Sequence, residues 1–150
     1  EQQISILGFA FLRAILGTRF NSDNTFDLKV EAARVHGDIG DGSAWLNTSV
    51  DIDAAHGGVV SIGDWHHIAY AIDDATDTAD LYLDGVLATT VTFSGTPLLM
   101  KADQELRIGN ASGTEYMNGM IDEVRIYNRP LSPAEVAGLV GRPGPIYTSF

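Results

Sequence analysis

The chain has 150 residues, no cysteine, 9 basic and 20 acidic side chains, and a formal net charge of −11 at pH 7. This length is typical of one domain and allows a buried core without a disulfide or a structural metal. The absence of cysteine excludes zinc–thiolate sites, iron–sulfur clusters and thiol nucleophiles. Because the acidic balance repels phosphate and anionic lipid, we expect no nucleic-acid partner and no membrane insertion.

Short β-type segments separated by turn residues, together with 16 glycines, predict an all-β sandwich. The first apolar segment, residues 4–16, is too short to cross a bilayer and has no basic region before it, so we interpret it as a buried strand. Residues 26–30 alternate apolar and polar side chains and predict a half-buried strand. Residues 38–43, which contain two glycines, predict a turn.

The middle of the chain carries the clearest strand signals. Residues 65–72 have apolar side chains on both predicted faces, which indicates a central strand. Asp84 and Gly85 lie between two β-type segments and predict a hairpin with a type I′ turn, since both turn residues take positive φ. Residues 106–110 and 119–127 predict two further strands.

The C-terminal part contains a helix start signal. Ser132, Pro133 and Glu135 have the residue types of an N-cap, a first helical position and the third position of a capping box. They predict a short helix that extends to about Leu139 and ends before Gly141.

Four segments in order resemble the motifs of LamG-like jellyroll domains in the concanavalin A-like lectin/glucanase superfamily. They are WHHIAY at 65–70, LYLDG at 81–85, LRIG at 106–109 and GMIDEVRIYNRPLS at 119–132, within a similar region of about residues 15–139. The resemblance implies a two-sheet antiparallel jellyroll sandwich with one short C-terminal helix. It also implies a non-catalytic module of a secreted or cell-surface protein that binds glycans or proteins. We therefore interpret residues 1–150 as a single LamG-like domain with a tail at 141–150.

One departure from the family concerns the first strand. Such domains begin with an additional strand ahead of the one that we assign to residues 4–13, and this family strand is missing here. In the family it lies near the terminal strand, so its absence would leave an unpaired sheet edge. We expect either a homodimer through this edge or its occupation by residues 144–150.

Asp122 is the candidate metal ligand. The segment DEVRIY at 122–127 is similar to the terminal strand of laminarinase-type glycoside hydrolases, and this resemblance implies that its aspartate binds a structural Ca²⁺. Calcium takes six to eight oxygen ligands, of which one carboxylate and several carbonyls can supply a part. The alternative is that Asp122 caps a turn or pairs with Arg107 or Arg125.

A candidate sugar site surrounds Trp45, in an acidic neighbourhood that includes Asp38. A tryptophan ring can stack on a pyranose, and carboxylates accept hydrogen bonds from sugar hydroxyls. We predict that the ligand-binding residues are Trp45, Asp41, Asp51 and Asp53. The alternative is that Trp45 is a core residue, because tryptophan is highly buried on average.

The sequence offers little for catalysis. His66 and His67 are adjacent on a predicted strand and point to opposite faces, so they cannot bind one ion together, and we expect His67 to be a core residue. A retaining glycosidase needs two carboxylates about 5 to 5.5 Å apart. The nearest match to such a motif, DIDAAH at 51–56, contains no glutamate.

We therefore predict a non-catalytic carbohydrate-binding module, assisted by calcium, and no enzyme. The alternative is a structural or oligomerising domain that binds proteins within a larger secreted or surface protein.

Overall fold

In the part of the chain that the structure describes, the secondary structure consists of eleven short strands and one helix. The computed structural model describes residues 2–7, 13–18, 25–31, 34–48, 52–54, 60, 64–98, 105–110 and 115–141. In chain order the elements are β1 (Gln2–Leu7), β2 (Arg13–Gly17), β3 (Phe26–Glu31), β4 (Arg34–Ile39), β5 (Asn47–Thr48), β6 (Ile52–Ala54), β7 (Trp65–Asp73), β8 (Thr78–Leu83), β9 (Val86–Ser94), β10 (Arg107–Ile108), β11 (Met120–Ile126) and α1 (Pro133–Ala137).

The strands form two antiparallel sheets. One has six strands in the order β11-β1-β7-β8-β9-β5, and the other has five in the order β10-β2-β3-β4-β6. All pairs between the described strands are antiparallel. This architecture confirms the predicted all-β, two-sheet jellyroll sandwich with one short helix.

The main core lies between the two sheets. Each sheet contributes the apolar side chains of alternate positions, as expected for strands with one face turned inward. The buried members include Leu16, Phe26, Leu28, Val30, Val35 and Ile39 from the five-stranded sheet, and Ile68, Tyr70, Leu81, Val91 and Phe93 from the six-stranded sheet.

The helix α1 covers the outer face of the six-stranded sheet. Val136 of the helix packs with Ala69 and Tyr82 in a second apolar cluster. The predicted capping box is present: Ser132 accepts from the Glu135 N–H, and the Glu135 carboxylate accepts from the Ser132 N–H. The helix ends at Ala137, earlier than predicted, because Gly138 is already its C-cap and glycine is a poor helix former.

Two further predictions for the middle of the chain are confirmed. The β8–β9 hairpin turns at Asp84 and Gly85, which have φ of 52° and 80° as a type I′ turn requires. The strand β7 is central, because β1 and β8 pair with its two edges.

Three predicted segments differ from the structure. Residues 4–16 do not form one strand: β1 lies in the six-stranded sheet and β2 in the other, since an extended run of this length would greatly exceed a usual strand of about 17–20 Å. Residues 26–30 are buried on both faces rather than one. The predicted turn at 38–43 begins later, because Asp38 and Ile39 belong to β4 and the bend lies at residues 42–44.

Among the described strands, β11 forms one edge of the six-stranded sheet and β5 forms the other. The one described partner of β11 is β1, which in turn pairs with β7. The missing family strand and the homodimer through an edge stay predictions, and the predicted tail beyond Gly141 lies outside the described residues. The described part of the chain includes no helix with the length and apolarity needed to cross a membrane.

Candidate functional site

The five-stranded sheet has a polar face turned away from the core. Between the inward apolar residues of β3 and β4 lie Asp27, Lys29, His36 and Asp38. The register pairs Asp27 with Asp38 and Lys29 with His36, so the four side chains are neighbours on one face. We call these four residues the polar cluster.

Asp38 is the centre of the polar cluster. Its Oδ2 accepts a hydrogen bond from Lys29 Nζ at 3.1 Å, and its Oδ1 lies 3.0 Å from His36 Nε2. Lys29 Nζ is also 4.0 Å from Asp27 Oδ2. The side chains of Asp27 and Lys29 are 0% and 8% exposed, whereas that of Asp38 is 26% exposed. The lysine charge is therefore held between two carboxylates, and Asp38 is the more accessible carboxylate.

The surroundings of Asp38 favour its ionised form. Burial acts to raise the pKa of this carboxyl, but hydrogen bonds with His36 and Asp27 and the charges of His36 and Lys29 outweigh it. Together they hold the pKa of Asp38 well below its usual value of 3.8. Asp38 is thus a carboxylate at any physiological pH, suited to accept hydrogen bonds.

Tyr70 anchors the polar cluster from the core side. Its hydroxyl donates to the main-chain carbonyl of Asp38 at 3.3 Å. Burial, together with the negative charges of Asp38 and Asp27, raises the pKa of Tyr70 well above 10, so this hydroxyl stays protonated and remains a donor.

Trp45 lies on the same face of the sheet as Asp38. An antiparallel bridge joins Trp45 to Gly40, which follows Asp38 by two residues and therefore shares its face. Its neighbour Leu46 packs against the core, and the Leu46 N–H donates to the Ile39 carbonyl at 2.9 Å. Trp45 is partly exposed and belongs to neither apolar cluster in the described residues.

The structure describes two of the other three predicted ligand-binding residues, Asp41 and Asp53. Asp41 is exposed and holds the bend after β4, since its Oδ1 accepts from the N–H groups of Ser43 and Ala44, each at 2.8 Å. Asp53 is the register partner of His36 on β6, beside the polar cluster. Asp51 lies outside the described residues. Ligand binding by Trp45, Asp41, Asp51 and Asp53 stays a prediction.

Sequence reasoning missed Lys29 and His36. Both residues alternate with apolar residues along their strands. In such a pattern the polar residues are normally solvent-facing. The available signal was the occurrence of charged residues at 27, 29 and 38 in strands joined by a short connection, which places them side by side.

Asp122 lies at an irregular point of β11. It is exposed, and its Oδ1 accepts from the Glu123 N–H at 2.8 Å. Glu123 has a φ of 54°, and the β1–β11 register shifts at this position, which identifies a β-bulge. The arginines named as alternative partners pair elsewhere, Arg125 with Glu123 and Arg107 with Glu105, each at 2.7 Å.

Calcium ligation by Asp122 stays a prediction. Within the described ranges no group of three or more His, Cys, Asp or Glu side chains is placed to hold a metal ion. The described side chains therefore do not by themselves supply the oxygen-rich set that calcium takes.

The two adjacent histidines are both organised by Asp84. His66 Nδ1 lies 2.9 Å from Asp84 Oδ2, and the His67 main-chain N–H donates to Asp84 Oδ1 at 3.0 Å. His67 is buried, as predicted. Burial is the main cause that lowers the pKa of His67; the Asp84 charge opposes this and the Arg125 charge adds to it. These two contacts of Asp84 link the β8–β9 turn to the start of β7.

Solved structures with the same fold were found by comparison. Domain 4 of AbnA, a GH43 extracellular arabinanase from Geobacillus stearothermophilus in complex with arabinotriose, matches at TM-score 0.68 and 18% identity over 93% of this chain and 65% of that one. The CBM40 of a Ruminococcus gnavus IT-sialidase, bound to α2,3 sialyllactose, matches at TM-score 0.67 and 16% identity over 93% and 81%. Domains LG4-5 of mouse laminin α1 match at TM-score 0.64 and 19% identity over 89% and 36%.

These likenesses show the fold alone, because all three identities are low. The chain spans slightly less than two thirds of the arabinanase domain chain and about a third of the laminin chain. No curated protein matches its sequence. The model of the Laminin_G_3 family, described as concanavalin A-like lectin/glucanases superfamily, matches residues 12–137. This match covers most of the chain and agrees with its two antiparallel sheets, so the chain belongs to the Laminin_G_3 family, within the concanavalin A-like lectin/glucanases superfamily.

Proposed function

We propose that this domain is a non-catalytic carbohydrate-binding module. Its site is the polar face of the five-stranded sheet around the end of β4, with Trp45 as the stacking surface and Asp38 as the main hydrogen-bond acceptor. The observation that carries the proposal is the Gly40–Trp45 bridge, which puts an aromatic ring on the sheet face that bears the polar cluster. An aromatic face beside ionised acceptors is the combination that recognises a sugar ring and its hydroxyls.

The charge state of the polar cluster supports binding rather than hydrolysis. A glycosidase needs one carboxyl that stays protonated near neutral pH and can act as a general acid. The pKa of Asp38 is shifted in the opposite direction, because His36, Asp27 and Lys29 stabilise its ionised form against the effect of burial. Asp38 is thus equipped to accept hydrogen bonds and not to donate a proton.

The similar structures support the ligand class and the location. The arabinanase domain is in complex with arabinotriose and belongs to an extracellular enzyme, and the CBM40 is bound to a sialyllactose. We extend carbohydrate binding and an extracellular or cell-surface location from these proteins to this chain as part of the proposal.

Calcium at Asp122 is a separate part of the proposal. It is supported by the exposure of Asp122 and by the net charge of −11, which favours divalent cations. Thermal melting with and without millimolar calcium tests it, since a bound ion stabilises the folded state by mass action. We expect a rise in the melting temperature that Asp122→Asn abolishes, and an unchanged temperature in the wild type would refute calcium binding.

A glycan array followed by titration calorimetry tests carbohydrate binding. The chain has two tryptophans, which provide a matched pair of variants. Trp65 is 49% exposed at the start of β7 in the other sheet. We expect Trp45→Ala to weaken binding about tenfold or more, as for a central aromatic contact, and Trp65→Ala to leave it unchanged. Equal loss in both variants would remove Trp45 as the binding surface.

An oligomerising domain is the second candidate function. The edge strand β11 exposes the side chains of Met120 and Ile126, which are 52% and 53% exposed. An accessible strand edge with apolar side chains is suited to pair with a second copy. Light scattering over a range of protein concentrations tests this candidate; a dimer that Ile126→Lys dissociates would support it, and a monomer at all concentrations would refute it.

A further inference from the structure

A cleft lies between the outer face of the six-stranded sheet and the segment that leads into α1. Strands β7, β8 and β9 form its floor, and residues 129–133 together with Glu135 form the opposite wall. Ala71 is the outward residue of the central strand β7 at this point, and its small side chain keeps the floor low. The cavity has a volume of about 390 Å³, which is within the range of natural ligand sites.

Asp80 is the main polar group on the floor of the cleft. Its Oδ1 accepts from Thr90 Oγ1 at 2.6 Å, and its Oδ2 accepts from the Tyr82 hydroxyl at 3.3 Å. These two bonds fix the orientation of the carboxylate, and each of its oxygens can accept a further hydrogen bond. Thr78, two residues before Asp80 on β8, and its register partner Asp73 add a hydroxyl and a second carboxylate. The floor thus presents a row of oriented hydrogen-bonding groups.

The opposite wall is held by an ion pair. The Arg129 guanidinium donates to the two Glu135 carboxylate oxygens at 2.6 and 3.1 Å, and its Nη1 also donates to the Pro130 carbonyl at 3.2 Å. Arg129 and Glu135 line an adjoining cavity of about 450 Å³ as well, where the ring of Tyr127 forms part of the wall. The cleft therefore offers an aromatic side chain in one cavity and oriented carboxylates in the other.

We infer that this cleft is a second saccharide-binding site, on the opposite face of the sandwich from Trp45. The inference rests on the proposed carbohydrate-binding function and adds a site to it. Sugar hydroxyls donate to Asp80, and the apolar face of a sugar ring packs on Tyr127. Because the two cavities adjoin at one ion pair, an oligosaccharide should bind more tightly than a monosaccharide. With sites on both faces, one domain can hold two glycan chains at once.

The test uses the Trp45→Ala protein, in which the site on the polar face is weakened and the cleft is intact. A glycan array identifies the oligosaccharides that this variant still binds, and calorimetry measures their affinity. We expect bound glycans on the array. Their affinity should fall about tenfold when Asp80→Ala is added, as for the loss of a charged acceptor. A blank Trp45→Ala array beside a positive wild-type array would overturn the inference and leave the proposed function standing. A blank wild-type array would overturn both.

A matched control assigns the effect to the cleft. Asp74→Ala removes the same charge at the exposed β7–β8 turn, outside both cavities, and should leave the affinity unchanged. Thermal melting checks that each variant is folded. If Asp80→Ala is not folded, the milder Thr78→Val decides: it removes one hydroxyl from the floor and should weaken binding about threefold. Affinities that do not respond to the floor variants, or that respond equally to Asp74→Ala, would overturn the cleft as the site.

Discussion

Gly37 of β4 and Tyr70 of β7 meet face to face across the core. A Cβ atom on Gly37 would lie 2.9 Å from Tyr70 Cζ, closer than side chains normally approach. The absence of a side chain at this position allows the tyrosine to extend between the sheets and to donate its hydroxyl to the Asp38 carbonyl. This hydrogen bond and the close approach at Gly37 link β4, which carries Asp38, to β7 of the six-stranded sheet.

Gly37→Ala should therefore destabilise the domain. The added methyl group overpacks the core against a fully buried ring, and we expect a loss of about 1–3 kcal/mol in the free energy of unfolding. Urea denaturation measures it. In a Tyr70→Leu background the same substitution should cost much less, because the ring is gone. A cost that is the same in both backgrounds would contradict the close contact.

The pKa of Asp38 predicts a pH dependence of stability. The ionised carboxylate is favoured in the folded protein, so its contribution is present above the usual value of 3.8 and is lost as the pH falls below it. Asp38→Asn lacks this contribution. We expect its urea midpoint to decline less steeply than that of the wild type as the pH is lowered through and below 4. Parallel declines in the two proteins would contradict the prediction.

Glu135 provides the control for this experiment. Hydrogen bonds with Arg129 and Ser132 lower the pKa of Glu135 to about 2, so it too favours the folded state above its usual 4.5. Glu135 is exposed, and salt screens exposed charges more effectively than partly buried ones. In 1 M NaCl the effect of Glu135→Gln on the pH dependence should therefore diminish, while that of Asp38→Asn persists.

Asp84 combines a turn conformation with two specific contacts. Asp84→Ala loses the acceptors for the His67 N–H and the His66 ring and places alanine at a φ of 52°. We expect a loss of about 1–3 kcal/mol in unfolding free energy. Asp84→Asn should cost less, because asparagine tolerates this φ and keeps one acceptor oxygen. Equal costs for the two variants, measured by urea denaturation, would refute this role.

In strands, alanine normally gives a more stable protein than glycine. At position 123 we expect the opposite order, because Glu123 lies in a bulge with positive φ. Both Glu123→Gly and Glu123→Ala lose the ion pair with Arg125, so their difference reports the backbone at a φ of 54°. Since glycine adopts this conformation without a Cβ clash, we expect the glycine variant to be more stable by about 1 kcal/mol. A more stable alanine variant in thermal melts would show that the strand has no such bulge.

The features that sequence analysis located correctly depend on neighbouring residues. Asp84 and Gly85 specify a tight hairpin because few other residues accept positive φ. Ser132, Pro133 and Glu135 specify a helix start because each satisfies a local backbone requirement. Both were confirmed at the predicted residues, and only the end of the helix was placed too late.

The predicted ligand-binding site stays a prediction, and Lys29 and His36 were not among its residues. Trp45 and the nearby aspartates stood out because their residue types suit sugar binding. Lys29 and His36 did not, because a polar residue that alternates with apolar ones is normally solvent-facing. Lys29 is buried and His36 is partly buried, and this burial depends on contacts of the outer sheet face that the strand pattern does not encode.

By itself, the sequence determined the fold family, the hairpin, the capped helix and the acidic character, because ordered motifs, turn residues and charge are all local properties. Only the tertiary structure decided that residues 4–16 are divided between two sheets, that Lys29 lies between Asp27 and Asp38, and that Trp45 shares their face. These are relations between strands, and the register that creates them is set by the packing of the whole sandwich rather than by any one segment.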